Sequence, residues 1–171
     1  MRKLIQAIVV LMGIILAVAP VFGSTVYTKN VEHVVKQFEK RIGHNVYLPQ
    51  NVPLNNPVVK AIYEENWNRI YINYASKKDD YFIDLYIEAS NFDSPAKKTE
   101  ETLILENGVR GYFKHRIHKT QIQSSAKLHF NFEGSKYSIL LHGNNMTSEN
   151  VKEYLVQTAM SLIKSKSIER L

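Results

Sequence analysis

Apolar residues change their spacing several times along this chain, and each spacing predicts a different kind of segment. Leu4 to Ala19 is apolar apart from Gln6 and Gly13. From Val31 the apolar positions are Val31, Val34, Val35, Phe38 and Ile42, with Glu32, Lys36, Glu39 and Lys40 between them. That is the period of a helix with one buried stripe. Asn30 is its expected N-cap, because an asparagine side chain accepts an orphan backbone N–H, and Gly43 closes it. Between Leu48 and Pro57 stand three prolines and three asparagines. Proline removes a donor and fixes φ, so this stretch predicts an ordered loop rather than a strand.

Beyond it the period falls to two. Arg69 to Ala75 sets Ile70, Ile72 and Tyr74 against Tyr71 and Asn73. Tyr81 to Glu88 sets Tyr81, Ile83, Leu85 and Ile87 against Phe82, Asp84, Tyr86 and Glu88, with Lys77 to Asp80 as the intervening turn. Such alternation marks half-buried strands. Thr102 to Leu105 and Val109 to Lys114 flank Glu106-Asn107-Gly108, and Asn-Gly is a strong hairpin signal because both residues tolerate positive φ. Lys127 to Phe132 and Tyr137 to Leu141 flank Glu133-Gly134-Ser135 in the same way, and Lys60 to Glu64 reads as a further edge strand. The chain closes on a second helix capped by Thr147 or Ser148, its stripe made of Val151, Tyr154, Leu155, Thr158, Ala159, Leu162 and Ile163. Hairpins without helical crossovers predict an α+β fold. Its antiparallel meander sheet should have about five to seven strands, with an N-terminal and a C-terminal helix on one face.

The first segment changes where this domain is expected to work. Arg2 and Lys3 precede the apolar run, and Val21-Phe22-Gly23 before Ser24 resembles a signal-peptidase site. Residues 1–23 are therefore expected to be a cleaved signal peptide; the alternative is an uncleaved anchor, since Leu4 to Phe22 just reaches the roughly 20 residues that span a bilayer. Either way the rest, a single domain over residues 24–171, faces outward. Without Arg2 and Lys3 the basic and acidic residues number 20 and 16, a mild positive balance that favours anionic partners. The chain has no cysteine, so a lipoprotein anchor is excluded and the core alone carries stability.

Catalytic signatures are weak. His115 and His118 stand three apart, which on a strand points them to opposite faces, and no third ligand stands at a convincing spacing. No serine occupies a Gly-x-Ser-x-Gly elbow, Ser124-Ser125 reads as a polar connection, and no metal or cofactor is expected. Two features suggest binding. The run Arg110, Lys114, His115, Arg116, His118, Lys119 is either an anion-binding edge or an edge strand protected by charge. If the aliphatic residues of the strands face the helices, the other face carries Tyr71, Asn73, Phe82, Tyr86, Arg110, Tyr112, Lys114, His129 and Asn131. Rings mixed with amides and cations can stack and hydrogen-bond a ligand, or stabilise a solvated sheet through cross-strand pairs. The candidate ligand residues are thus Tyr71, Tyr86, Arg110, Tyr112, Lys114, Arg116 and His129.

Leu48-Pro49, Asn107-Gly108-Val109 with Gly111-Tyr112, Leu128 to Phe132, Gly134, Tyr137 and Met160-Ser161-Leu162-Ile163 form a pattern of turns, strands and a closing helix. Over residues 45–170 this resembles the uncharacterised extracytoplasmic domain of Gram-positive bacteria, found in small secreted or lipid-anchored proteins and on the outer side of some sigma-factor regulators. The resemblance implies an α+β domain outside the membrane and transfers no site residue. The leading expectation is a non-catalytic binding or sensing module at the cell envelope. Its expected partner is an anionic envelope polymer, a membrane surface or another envelope protein, and not nucleic acid. The alternatives are a secreted enzyme or inhibitor with a site assembled from distant residues, and a membrane-tethered structural protein. Oligomeric state is left open.

Overall fold

A computed structural model describes residues 23–89, 99–117, 123–144 and 146–168. In chain order the elements are β1 (Gly23–Ser24), α1 (Lys29–Ile42), β2 (Asn51–Val52), β3 (Val58–Glu64), β4 (Arg69–Ala75), β5 (Tyr81–Glu88), β6 (Glu101–Ile104), β7 (Arg110–Ile117), β8 (Gln123–Phe132), β9 (Ser135–Asn144) and α2 (Ser148–Ile168). Strands β3 to β9 form one antiparallel sheet of seven strands in the order β3-β4-β5-β9-β8-β7-β6. The α+β class, the antiparallel pairing and the two bracketing helices agree with the alternation of apolar residues. The sheet is two meanders laid side by side, β3-β4-β5 and β6-β7-β8-β9, with β5 against β9. After β5 the chain goes to the far edge and works back. Local hairpin signals do not specify that jump.

Local chemistry explains most boundaries. Helix α1 starts two residues earlier than its stripe: Thr28, not Asn30, is the N-cap, with its hydroxyl accepting from the Val31 N–H at 3.4 Å. Gly43, at φ 79°, closes it as expected. Thr147 caps α2, its hydroxyl accepting from Asn150 N–H at 3.3 Å and its carbonyl from Val151 N–H. Between β8 and β9 the turn is only Glu133 (φ 48°) and Gly134 (φ 79°), whose positive φ values match the right-handed twist of the strands. Ser135 already belongs to β9. The proline-rich stretch does contain one short strand, β2, paired with β1 as Gly23 with Val52 and Ser24 with Asn51. Ser124-Ser125 is not a connection but the start of β8. Of the expected leader, residues 1–23, the first 22 lie outside the described residues, and the expected cleavage point after Gly23 falls within β1. Among the described residues no helix is long and apolar enough to cross a membrane.

The core lies between the helices and one face of the sheet. Ile70, Ile72, Ile83, Leu85, Ile87, Leu128, Phe130, Ile139 and Leu141 all point there and are buried, as are Val31 and Phe38 of α1 and Val151, Leu155, Ala159 and Leu162 of α2. Burying one such side chain stabilises the fold by about 1.5–3 kcal/mol. Helix α1 packs on β3 and β4, and α2 on β7, β8 and β9. Polar ties fix the loop after α1 between them. His44 Nε2 and Ser135 Oγ are hydrogen-bonded at 2.9 Å, and Tyr47 N–H donates to the Tyr137 hydroxyl at 3.0 Å. Asn51 N–H donates to Ser161 Oγ of α2 at 2.8 Å. These ties hold both helices to one side. The opposite face of the sheet carries neither of them.

Candidate ligand-binding face

Because side chains alternate along each strand, the registers place the outward residues in rows across the sheet. One row runs Ile62, Tyr71, Tyr86, Ser138, His129, Tyr112, Thr102. Four of the seven residues singled out from the sequence, Tyr71, Tyr86, His129 and Tyr112, therefore share a single row. The Tyr71 and Tyr86 rings lie 5.1 Å apart, and those of Tyr112 and His129 5.3 Å apart. Ser138 of β9 separates the two ring pairs and is buried beneath them. Tyr86 and His129 stand two strand spacings apart, roughly 10 Å, so the small serine is the floor of a groove with an aromatic wall on each side.

The cationic residues occupy the neighbouring rows of β7 and β8. Arg110, Lys114 and Arg116 alternate with Gly111, Phe113 and His115, so the first three share the open face with Lys127 of β8. His115 points to the helix side and leaves the cluster, and His118 and Lys119 lie outside the described residues. Lys114, Arg116, Lys127, Ser125 and His142 line a cleft of about 240 Å³ together with Glu100. Lys114 Nζ donates to Thr99 Oγ1 at 2.7 Å, while Arg116 is exposed. Within this run β7 is an inner strand only at Arg110, where β6 lies outside it. Lys114, His115 and Arg116 lie past the end of β6, with β8 as their one described strand partner, so for them a charge-protected edge fits as well as an anion-binding one. On the described open-face positions of β7 and β8 there are four cations and no carboxylate. The carboxylates Glu64, Asp84 and Glu88 all stand on β3 and β5.

Asp84, at the centre of the sheet, is the one buried carboxylate among the described residues. Its Oδ1 accepts from the Tyr71 hydroxyl at 2.9 Å and from Asn73 Nδ2 at 2.8 Å, and its Oδ2 lies 3.5 Å from His142 Nε2. The His142 ring stacks on Phe82 at 4.8 Å. Burial, with help from the Asp84 carboxylate, pushes the Tyr71 hydroxyl up to about 12, and burial also raises that of Tyr86. Tyr86 carries the Arg69 guanidinium over its ring at 4.8 Å, and Trp67 flanks the same guanidinium at 5.4 Å. Ser125 stands directly opposite His142 in the register of β8 and β9. No group of three His, Cys, Asp or Glu side chains among the described residues is placed to hold a metal ion.

Lys127, His142, Ser125, Ser138 and Asp84 were not picked as site residues from the sequence. Lys127 was legible, because the alternation Lys127, His129, Asn131 puts it beside His129. His142 was hidden by ending the last strand at Leu141, three residues short of its true end at Asn144. Ser138 carries no chemical signal of its own; only the register makes it the floor between two pairs of rings. A second cleft, of about 520 Å³, lies on the helix side between α1, the segment after β1 and the loop at 46–50, lined by Tyr27, Val35, Glu39, Val46 and Leu48. None of the sequence candidates borders it. No family model matches this chain, and no curated protein or solved structure matches it.

Proposed function

We propose that this protein is a non-catalytic binding module at the outer side of the cell envelope, and that it takes an anionic, sugar-bearing polymer on its open sheet face. The carrying observation is the adjacency of two kinds of surface. A groove walled by Tyr86 and His129 over Ser138 continues along β9 to Leu140 and His142, the floor of the cleft bordered by Lys114, Arg116 and Lys127. Rings on either side of a narrow groove suit the apolar faces of sugar rings, and the cations beside it suit phosphate or carboxylate groups. Export rests on the basic and apolar N-terminal residues, and the envelope on the resemblance carried by Asn107-Gly108-Val109 and its companions. Asp84 serves the architecture of this face, since both its oxygens are already engaged by Tyr71, Asn73 and His142.

Co-sedimentation with purified cell wall, with wall stripped of its anionic polymer, and with phosphatidylglycerol vesicles tests this. Binding to intact wall should weaken at high salt. The triple variant Lys114→Gln, Arg116→Gln, Lys127→Gln should lose at least tenfold in affinity, and Tyr86→Ala should weaken binding without changing its salt dependence. Equal binding to stripped wall, or retention by vesicles alone, would reject the polymer as ligand.

A further inference from the structure

We propose that β3 is a dimerisation edge, pairing antiparallel with β3 of a second copy about a two-fold axis through Ile62. The sheet has two ends, and they differ. Edge strand β6 has four residues, whereas β3 has seven and, among the described residues, carries one row of backbone groups with no strand beside it. Long unpaired edges are templates for another strand. This edge is also apolar: Val58 and Ile62 are 55% and 57% exposed, and Trp67, in the turn that follows, is 70% exposed. They are half of the six large hydrophobic side chains exposed among the described residues.

The register identifies the second copy as the occupant. Two-fold pairing keeps each face together only when the axis passes through a residue, because facing residues must share a side. An axis at Lys60 would oppose the two lysines. An axis at Ala61 would set Lys60 against Ile62 and Val58 against Glu64. An axis at Tyr63 would put Ile62 against Glu64. With the axis at Ile62, the two isoleucines meet, Lys60 faces Glu64 of the partner subunit, and Glu64 faces the partner's Lys60. On the helix side the small Ala61 then meets the large Tyr63 in both directions. Glu64 already pairs with Arg69, so it would sit between two cations. This arrangement is isologous and closed, as a stable homodimer requires. It doubles the sheet and brings the aromatic rows of the two open faces into line.

The chain contains no cysteine, so an introduced one is the only thiol present. Opposed residues in an antiparallel pair have Cα atoms about 4.5–5.5 Å apart, within disulfide range. The full chain carrying Ile62→Cys, purified in mild detergent, should form a disulfide-linked dimer under a mild oxidant, and Lys60→Cys should not. Separately, Lys60→Glu and Glu64→Lys should each raise the dimer dissociation constant about tenfold by sedimentation velocity. Mixing the two variants restores both charge pairs and should return the affinity to within about threefold of the parent. That recovery separates a lost interface from a damaged fold. A monomeric parent, cross-linking at Lys60→Cys in preference to Ile62→Cys, or a mixture that stays dissociated would each overturn the proposal.

Discussion

The two faces of the sheet are made by the same strands and differ in what holds them. On the covered face Ile70, Ile72, Ile83, Leu85, Ile87, Ile139 and Leu141 are essentially inaccessible and rely on the exclusion of water. On the open face, neighbours one residue away rely on directional contacts: Tyr71 on Tyr86, Tyr112 on His129, Phe82 on His142, Arg69 over Tyr86, and three groups on Asp84. Burial scales with area and forgives chemical detail, so the covered face needs only apolar residues at every second position. Ring pairs and charge-assisted hydrogen bonds depend on which residue stands opposite which. The open face can therefore carry specificity that the covered face cannot, and it contributes less to stability residue for residue.

The largest expected contrast is between two adjacent residues of β5. Leu85→Ala opens a cavity in the core and should cost about 2–5 kcal/mol in chemical denaturation. Tyr86→Ala removes a ring pair and a cation–π contact and should cost about 1 kcal/mol. Equal losses would mean that the open face is covered by something and is not a free surface. Next in size is Asp84→Ala, which strips the acceptor from the Tyr71 hydroxyl and Asn73 amide at the sheet centre. It should cost about 1–3 kcal/mol, more than any other open-face change.

The smallest effect sharpens the comparison through pH. Folding raises the Tyr71 hydroxyl to about 12, so the neutral phenol is the form the fold favours. Its contribution is complete below the ordinary tyrosine value of about 10 and falls as pH rises from 10 towards 12. Stability should drop over that window, and Tyr71→Phe should remove the Tyr71 share of the drop. Tyr74 and Tyr137, on the covered face, are raised further by burial and should stay un-ionised until the chain unfolds. Ultraviolet absorbance of the phenolate against pH checks both.

Much of the fold was legible because period and partner agree locally. Arg69 to Ala75 and Tyr81 to Glu88 are strands over those residues, and the Asn107-Gly108 and Glu133-Gly134 turns take the positive φ that tight hairpin turns need. Where local rules compete, the outcome passed to longer-range contacts. Thr28 and Asn30 are both good caps, and the helix takes Thr28. Ser124 and Ser125 resemble loop residues, yet they lie in β8 because β9 and β7 offer them partners on both sides.

The sequence by itself determined which residues point together along each strand, since a period of two follows from backbone geometry alone. It also determined two amphipathic helices, the turns between strands, and the assignment of rings and cations to the face opposite the core. Only the tertiary structure decided the strand order, and with it the site. Placing β9 between β5 and β8 sets Ser138 between two ring pairs, brings His142 to Asp84, and leaves β3 at the edge of the described sheet. Tyr86 and Asp84 are separated from Ser138 and His142 by more than fifty residues along the chain, and their meeting depends on the return of the second meander to β5. No periodicity in a single segment records that choice, because it is made by the shared core both meanders must cover.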